Sequence, residues 1–531
     1  METESRADWS RASRELCRAA QLAVIRQHGL LDLLDGEGEH DDQQQHLQHS
    51  RNGNDDRNER TPLVAADGRP TAGAAAAPPC CSPFYGTDDD TTEDANQAAL
   101  RTNGHGHPQR EPATTRWILW DETNQMVSLA VPVIGTYLLE MLPGIVSIVL
   151  VGHVESDLTK EYIAAASLAV MYVNLTGLSV GFGLASAMDT LCSQAYGAGQ
   201  VRKMGVYLQT GLLVLSAAFV VVFLLNYHAG TILLAIGQPP RVSALAGTFT
   251  RILIPGIPFL FVYELLRKTM QAQNVAMPMF YVAVLSNVVN CVLGYYLVYR
   301  TPLGWLGSAV ARTACNVSFC VFMAAYVYWS GFFLTFWGDG WHLKAAWKGV
   351  PQFVNLGIPG ALQLCFEWWA FEVLAVISGL LPDAVLAIGV NAILLNLSSM
   401  VYMLYLGVSI AANVRIGNAL GSGLPRRANL AAKLAVGLAA VCAAMCAVFL
   451  LAFHESLPTV FTHDPEIGEY CSRLLFVAAA FQLPDAINGA VQGILKGSGR
   501  QSIGAYLNFV AYYVAGIPFG ILLAFHFEMS V

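Results

Sequence analysis

Glu140, Glu367, Glu372 and Asp485 each fall well inside an apolar run of the length that crosses a bilayer, about 20 residues. An acid at that depth is costly; such groups line cavities, relay protons or hold cations. Because burial disfavours the charged form, a carboxyl there can load and lose a proton near neutrality. Glu367 and Glu372 are five positions apart, about 140° around an ideal helix. Both reach one spot only if the helix bends, and Pro359 makes that possible. Trp368 and Trp369 beside them offer flat faces to an organic cation, with helix packing or lipid contact as the plainer alternative. Asn396 and Tyr402, on the following apolar run, could give hydrogen bonds to the same cavity. Glu264, one turn before Lys268, reads as half of a helix-end ion pair. Asp189 reads as a helix-end residue, and Arg312 as the only strongly placed cation. The interior is thus acid-rich and cation-poor. His153, His228, His454, His463 and His526 lie at or near the ends of the apolar runs, and no nucleophile/base or metal-ligand spacing occurs inside. No catalytic residue, cofactor site or metal site is expected, and the chain does not read as an enzyme.

The elements that must hold these acids are membrane helices. Of 531 residues, 54% are hydrophobic and 13% charged, which excludes a string of soluble domains. Eleven stretches qualify as spans: 126–151, 162–187, 205–227, 244–266, 279–299, 305–329, 353–381, 384–412, 430–453, 470–494 and 503–527. Connections after the even-numbered spans carry Arg202/Lys203, Arg267/Lys268, Lys344/Lys348, Arg426/Arg427 and Lys496/Arg500; those after the first and ninth are acidic. The positive-inside rule places the even connections and the N-terminus in the cytoplasm.

One six-helix unit is duplicated. Leu129-Ala130-Val131-Pro132, with Glu140 eight residues after the proline, recurs as Leu356-Gly357-Ile358-Pro359 with Glu367, an offset of 227. Ala195-x-Gly197-x-Gly199-x-x-Arg202 recurs as Ala419-x-Gly421-x-Gly423-x-x-Arg426, an offset of 224. An even number of helices per unit gives both copies one orientation, so the lobes are related by an axis along the membrane normal, with a site between them. Pro132 and Pro359, in matching places, suggest a hinge or a broken turn; a lone proline is otherwise a tolerated bend. We divide the chain into a disordered acidic cytoplasmic tail (1–116), an N-lobe of helices 1–6 (120–330) and a C-lobe of helices 7–11 (345–531).

The tail holds 12 Arg, no Lys and 20 Asp plus Glu, so it carries the whole net charge of −8. Such a segment cannot bury enough apolar surface to order itself, and an acidic tail without a basic face argues against nucleic acid as a partner. Glu59-Arg60-Thr61-Pro62-Leu63-Val64 resembles an acidic dileucine sorting signal, Cys80-Cys81 are open to acylation, and His105 with His107 to a metal contact, though plain solvated chain reads as well for each. The remaining cysteines are mostly isolated in apolar stretches, where a thiol behaves as a small hydrophobe.

The stretches Val151-Gly152-His153, Ala187-Met188-Asp189-Thr190-Leu191-Cys192-Ser193-Gln194-Ala195-Tyr196-Gly197, Cys365-Phe366-Glu367-Trp368-Trp369-Ala370-Phe371-Glu372, Val414-Arg415-Ile416-Gly417-Asn418-Ala419 and Gln492-Gly493-Ile494-Leu495-Lys496-Gly497 resemble the eukaryotic branch of the multidrug and toxic compound extrusion (MATE) transporters. The resemblance runs from about residue 120 to the end. It implies an all-α polytopic protein of two pseudo-symmetric six-helix lobes, working by alternating access as a secondary exporter of amphipathic, usually cationic compounds against protons. Sodium is the alternative coupling ion. It also implies that Glu367 is the proton and substrate carboxylate with Glu372 nearby, and that Asp485 matches the acidic tenth-helix position. Some family members place an acid where this chain has Asn396. The family has twelve helices and this chain reads as eleven, with the twelfth missing, so an inactive truncated copy is one rival reading. A lipid-linked precursor flippase, which needs interior cations, is the other. The expected partners are a small organic substrate and the lipid bilayer, with the protein a monomer in the vacuolar or plasma membrane.

Overall fold

The computed structural model describes residues 115–154, 156, 158–337, 340–378, 380–381, 384–462 and 464–526. The acidic tail up to residue 114, with the sorting-like stretch, Cys80-Cys81 and the His105/His107 pair, lies outside the described residues, as does His463. All elements described are helical, and eleven helices are long and apolar enough to span a membrane. Hydrocarbon offers the backbone no partner, so each spanning segment must satisfy its own peptide groups as a helix. The first six are α1 (Thr115–Gly152), α2 (Thr159–Gly197), α3 (Val201–Tyr227), α4 (Pro240–Ala272), α5 (Met277–Tyr299) and α6 (Leu306–Trp329). Then come α7 (Leu343–Ser378), α8 (Ala384–Gly421), α9 (Pro425–Ala452), α10 (Pro465–Gly497) and α11 (Gln501–His526). The basic end of the bundle is the end at which α2, α4, α6, α8 and α10 finish. Gly199 and Gly423, at φ +69° and +71°, turn the chain there from α2 to α3 and from α8 to α9, a left-handed backbone that strains any residue with a Cβ.

The matched prolines do not break their helices: α1 runs through Pro132 and Pro143, and α7 through Pro351 and Pro359. A proline leaves the carbonyl four residues earlier without its donor. For Pro143 that carbonyl is Leu139, and Asn287 Nδ2 of α5 donates to it at 2.9 Å. The irregular turns lie elsewhere: π turns at Asn174–Leu178 of α2 and at Val510–Gly516 and Leu522–His526 of α11, and a 3-10 turn at Ile254–Gly256 of α4; π turns expose carbonyls to outside donors. In the α2 turn, Trp369 Nε1 of α7 donates to the Leu175 carbonyl at 3.3 Å.

The duplication is written into the packing. A Cβ built on Gly197 would lie 2.0 Å from the Asn418 carbonyl oxygen, and one on Gly421 would lie 2.1 Å from that of Gln194. Shifted by 224, Gly197 becomes Gly421 and Gln194 becomes Asn418, so the two contacts exchange under the repeat. The same holds at mid-depth. Gly183 of α2 meets Ala361 of α7, and Gly407 of α8 meets Ile134 of α1, each with 2.3 Å left for a Cβ. Reciprocal contact between repeat mates is the signature of a two-fold relation between the lobes. The seam includes α2 against α7, α8 and α10, α3 against α7, and α8 against α1. It is tight from mid-depth to the basic end, where Gln194 Nε2 donates to the Gly497 carbonyl at 3.1 Å and Ser422 Oγ to the Gly197 carbonyl at 2.8 Å.

Candidate functional site

Glu367 lies on α7 one and a half turns past Ala361, the seam contact, and is 5% exposed. Its carboxylate is held by neutral donors from two other helices of its own lobe. Gln492 Nε2 of α10 donates to Oε2 at 3.0 Å, and Asn508 Nδ2 of α11 reaches the same oxygen at 3.5 Å while donating to the Gln363 carbonyl at 3.1 Å. The phenol of Tyr402 on α8 and the carboxyl of Asp485 on α10 act electrostatically on it as well. Glu122, Asp189, Glu264 and Glu367 are the buried acids among the described residues. The first three each have a cation within ion-pair distance and Glu367 has none.

Of the other residues marked in the sequence, Glu372 is half-buried, away from this cluster and without a side-chain partner among the described residues. The unbroken α7 keeps it on a different face from Glu367. Asn396 is exposed and spends its amide on the Ala392 carbonyl of its own helix at 2.8 Å. Trp368 is half-buried beside Glu367, and Trp369 is turned to the N-lobe contact described above. The structure therefore brings Glu367, Tyr402 and Asp485 together, and leaves Glu372 and Asn396 apart from them.

Glu140 sits in the other lobe, in a network that corrects the picture of a cation-poor interior. Arg267 Nη1 grips both of its oxygens at 2.7 Å, and Tyr263 donates to Oε1 at 2.8 Å. Arg267 is 1% exposed, lies over the Tyr137 ring at 4.5 Å and also pairs with Glu264. Lys268 donates to both Asp189 oxygens at 2.8 Å and lies 3.4 Å from Glu264. These cations are no loop residues, because α4 continues to Ala272 and carries them inside the lobe. Asp189 lies in the first turn after a break in α2 at Ser186, but not at an exposed end: it is 8% exposed, and α2 continues to Gly197. Hydropathy alone ends the fourth span nearly two turns short and turns two buried cations into a cytoplasmic connection.

Sequence reading also passed over Gln492, Asn508 and Gln363. Each is an amide within an apolar helix, which is the signal that was available. Gln363 is 2% exposed, and neither its Oε1 nor its Nε2 has a hydrogen-bond partner.

With this geometry in hand, comparison with known proteins is informative. The MatE family model matches twice, over residues 132–296 and 359–522. Multidrug and toxin extrusion protein 1 of Danio rerio is 35% identical over 410 residues, 77% of this chain and 68% of that protein. Multidrug and toxin extrusion protein 2 of Mus musculus is 36% identical over 410 residues, 77% and 70% respectively. The crystal structure of the eukaryotic MATE transporter AtDTX14 superposes with a TM-score of 0.73 at 33% identity, covering 78% of this chain and 91% of its own. The two matched segments fall on the two copies of the repeat, and the chain belongs to the MatE family of multi-pass membrane efflux transporters.

Proposed function

We propose that the protein exports organic cations in exchange for protons, and that the two compete at Glu367. The observation that carries this reading is that Glu367, alone among the buried acids described, has no cationic partner. Neutral amides hold it in place and no cation is ion-paired to it, so a proton or a cationic guest can balance its charge. Proton entry and cargo release become alternatives at one carboxylate, which is what an antiporter requires of its coupling group. Tyr402 and Asp485 complete the wall around it, with Trp368, Glu372 and Asn396 along the path of a guest. Glu140, held by Arg267, serves the stability of its own lobe in this reading. The positive-inside pattern puts the basic end in the cytoplasm, and the seam is tight there. Access to Glu367 then alternates as α1 and α7 bend near Pro132 and Pro359, each two residues before a seam contact at Ile134 or Ala361. A flippase of lipid-linked anions gains little from the buried cations, since Arg267 and Lys268 are already paired with acids.

The test is efflux of a fluorescent organic cation from sealed vesicles with an imposed pH gradient. Glu367→Gln is expected to insert normally and to lose gradient-driven transport. Full transport by that variant overturns the assignment.

A further inference from the structure

Lys496 stands on α10 one turn beyond Gln492, the residue that donates to Glu367, so both lie on one helix face. Its backbone is pinned to the N-lobe: Thr190 Oγ1 of α2 donates to the Lys496 carbonyl, and the next carbonyl, Gly497, accepts from Gln194. Thr190 adjoins Asp189, which is bound to Lys268. Lys496 is half-buried, and among the described residues its ammonium makes neither an ion pair nor a hydrogen bond. The charges acting on it are Asp189, Lys268 and Glu264 in one lobe and Glu367 in its own. The N-lobe cluster is itself unbalanced, with Glu140, Glu264 and Asp189 against Arg267 and Lys268. A four-carbon stem carrying a compact charge suits such a position, because it can reorient without its backbone moving.

We propose that Lys496 is the protein's own counter-cation for Glu367. Its ammonium moves toward the carboxylate when no guest is bound, and back toward Asp189 when a proton or a cationic cargo arrives. It is thereby a specificity-determining residue: a cation binds only if it outcompetes the lysine, and the empty carrier can return without a bare buried charge. The groups bearing on this exchange are Asp189 from α2, Lys268 and Glu264 from α4, the latter paired with Arg267, Glu367 from α7, Tyr402 from α8, Asp485 from α10 and Tyr512 from α11. The inference rests on the reading of Glu367 as the site of competition.

The experiment measures equilibrium binding and turnover of a monovalent fluorescent cation, with an uncharged analogue alongside, in membranes carrying the full chain. Lys496→Gln is expected to bind the cation more tightly, by at least about fivefold, the lower range of a coupling between sites. Its turnover should fall, and binding of the uncharged analogue should not change. Lys496→Arg keeps the charge and should stay within about twofold of the parent for the cation. Unchanged or weaker cation binding by Lys496→Gln overturns the proposal, since loss of a merely structural residue would lower turnover without tightening binding. Should Lys496→Gln fail to insert, the charge-balanced pair Glu367→Gln with Lys496→Gln is expected to restore insertion, and no restoration overturns it equally. Glu367→Gln alone separates the two readings. If that variant transports normally the site assignment fails; if it is inactive while Lys496→Gln binds as the parent does, only the counter-cation role fails.

Discussion

Arg415 of α8 holds Glu122 of α1 through two parallel hydrogen bonds, Nε to Oε2 at 3.0 Å and Nη2 to Oε1 at 2.8 Å. Glu122 is 1% exposed and takes a further contact from Arg427 of α9, which also reaches Asp121 at 3.0 Å. The pair joins the lobes at the basic end, on the same side as the glycine seam.

This clasp must open whenever the lobes part at that end, so it sets part of the balance between the two access states. Removing Glu122 leaves the buried Arg415 without its acid, while Arg427 keeps Asp121, and breaking a buried pair costs about 3–5 kcal/mol. Glu122→Gln should therefore lower thermal stability and raise labelling of a cysteine placed at Ser193 by a reagent added on the basic side. The exchange Glu122→Arg with Arg415→Glu should recover part of both. Unaltered labelling in Glu122→Gln would show that the clasp does not bear on opening.

The reciprocal glycines make a symmetric prediction. Nothing larger than hydrogen fits at Gly197 or Gly421 without pushing α2 and α8 apart, and overpacking of this kind costs about 1–3 kcal/mol. Gly197→Ala and Gly421→Ala should lower stability and transport by similar amounts. Gly437→Ala, in α9 with open space around it, should do neither. Markedly unequal losses would argue against a two-fold seam.

The buried network of the N-lobe behaves as a unit. Arg267→Met leaves Glu140 without a cation, while Glu264 keeps Lys268, and should reduce the amount of folded protein sharply, by the cost of an uncompensated buried charge, about 3–5 kcal/mol. Glu140→Gln keeps the Tyr263 contact, relieves the acid excess and should retain most transport. Adding Glu140→Gln to Arg267→Met should recover protein. Loss of pH-gradient coupling in Glu140→Gln, with normal protein levels, would instead make Glu140 a second coupling acid.

How far the sequence could be read is clear from these same residues. The eleven spans and the duplication were legible, because hydropathy over a bilayer's thickness and a repeated Pro-to-Glu spacing are local properties of the chain. Glu367 was legible for the same reason, as an acid in an apolar run. What could not be read was pairing. Arg267 and Lys268 stand just past the fourth apolar run and read as its basic connection, and only the continuation of α4 shows that they meet Glu140 and Asp189. The donors Gln492 and Asn508 come to Glu367 from 125 and 141 residues away, distances at which spacing carries no signal. Proline was misleading in the opposite direction, since the carbonyl that Pro143 strands is satisfied by a distant side chain.

Gln492 offers the most discriminating change at the candidate site. Its amide donates to the Glu367 oxygen at 3.0 Å from the helix that also carries Lys496 and Asp485, and a hydrogen bond to a charged group contributes about 1.5–3 kcal/mol. Gln492→Leu removes that donor without adding charge. If Glu367 must be ionised to receive a cation, the variant should bind the cation about tenfold or more less tightly, because the ionised carboxylate loses the support and the neutral acid loses little. Gln492→Glu places a second acid against the first. Two like charges at that distance resist ionising together, so it should bind a monovalent cation without the parent's dependence on pH over the neutral range. Binding curves across pH for the parent and both variants decide the matter, and coincident curves would mean that Glu367 does not hold the guest.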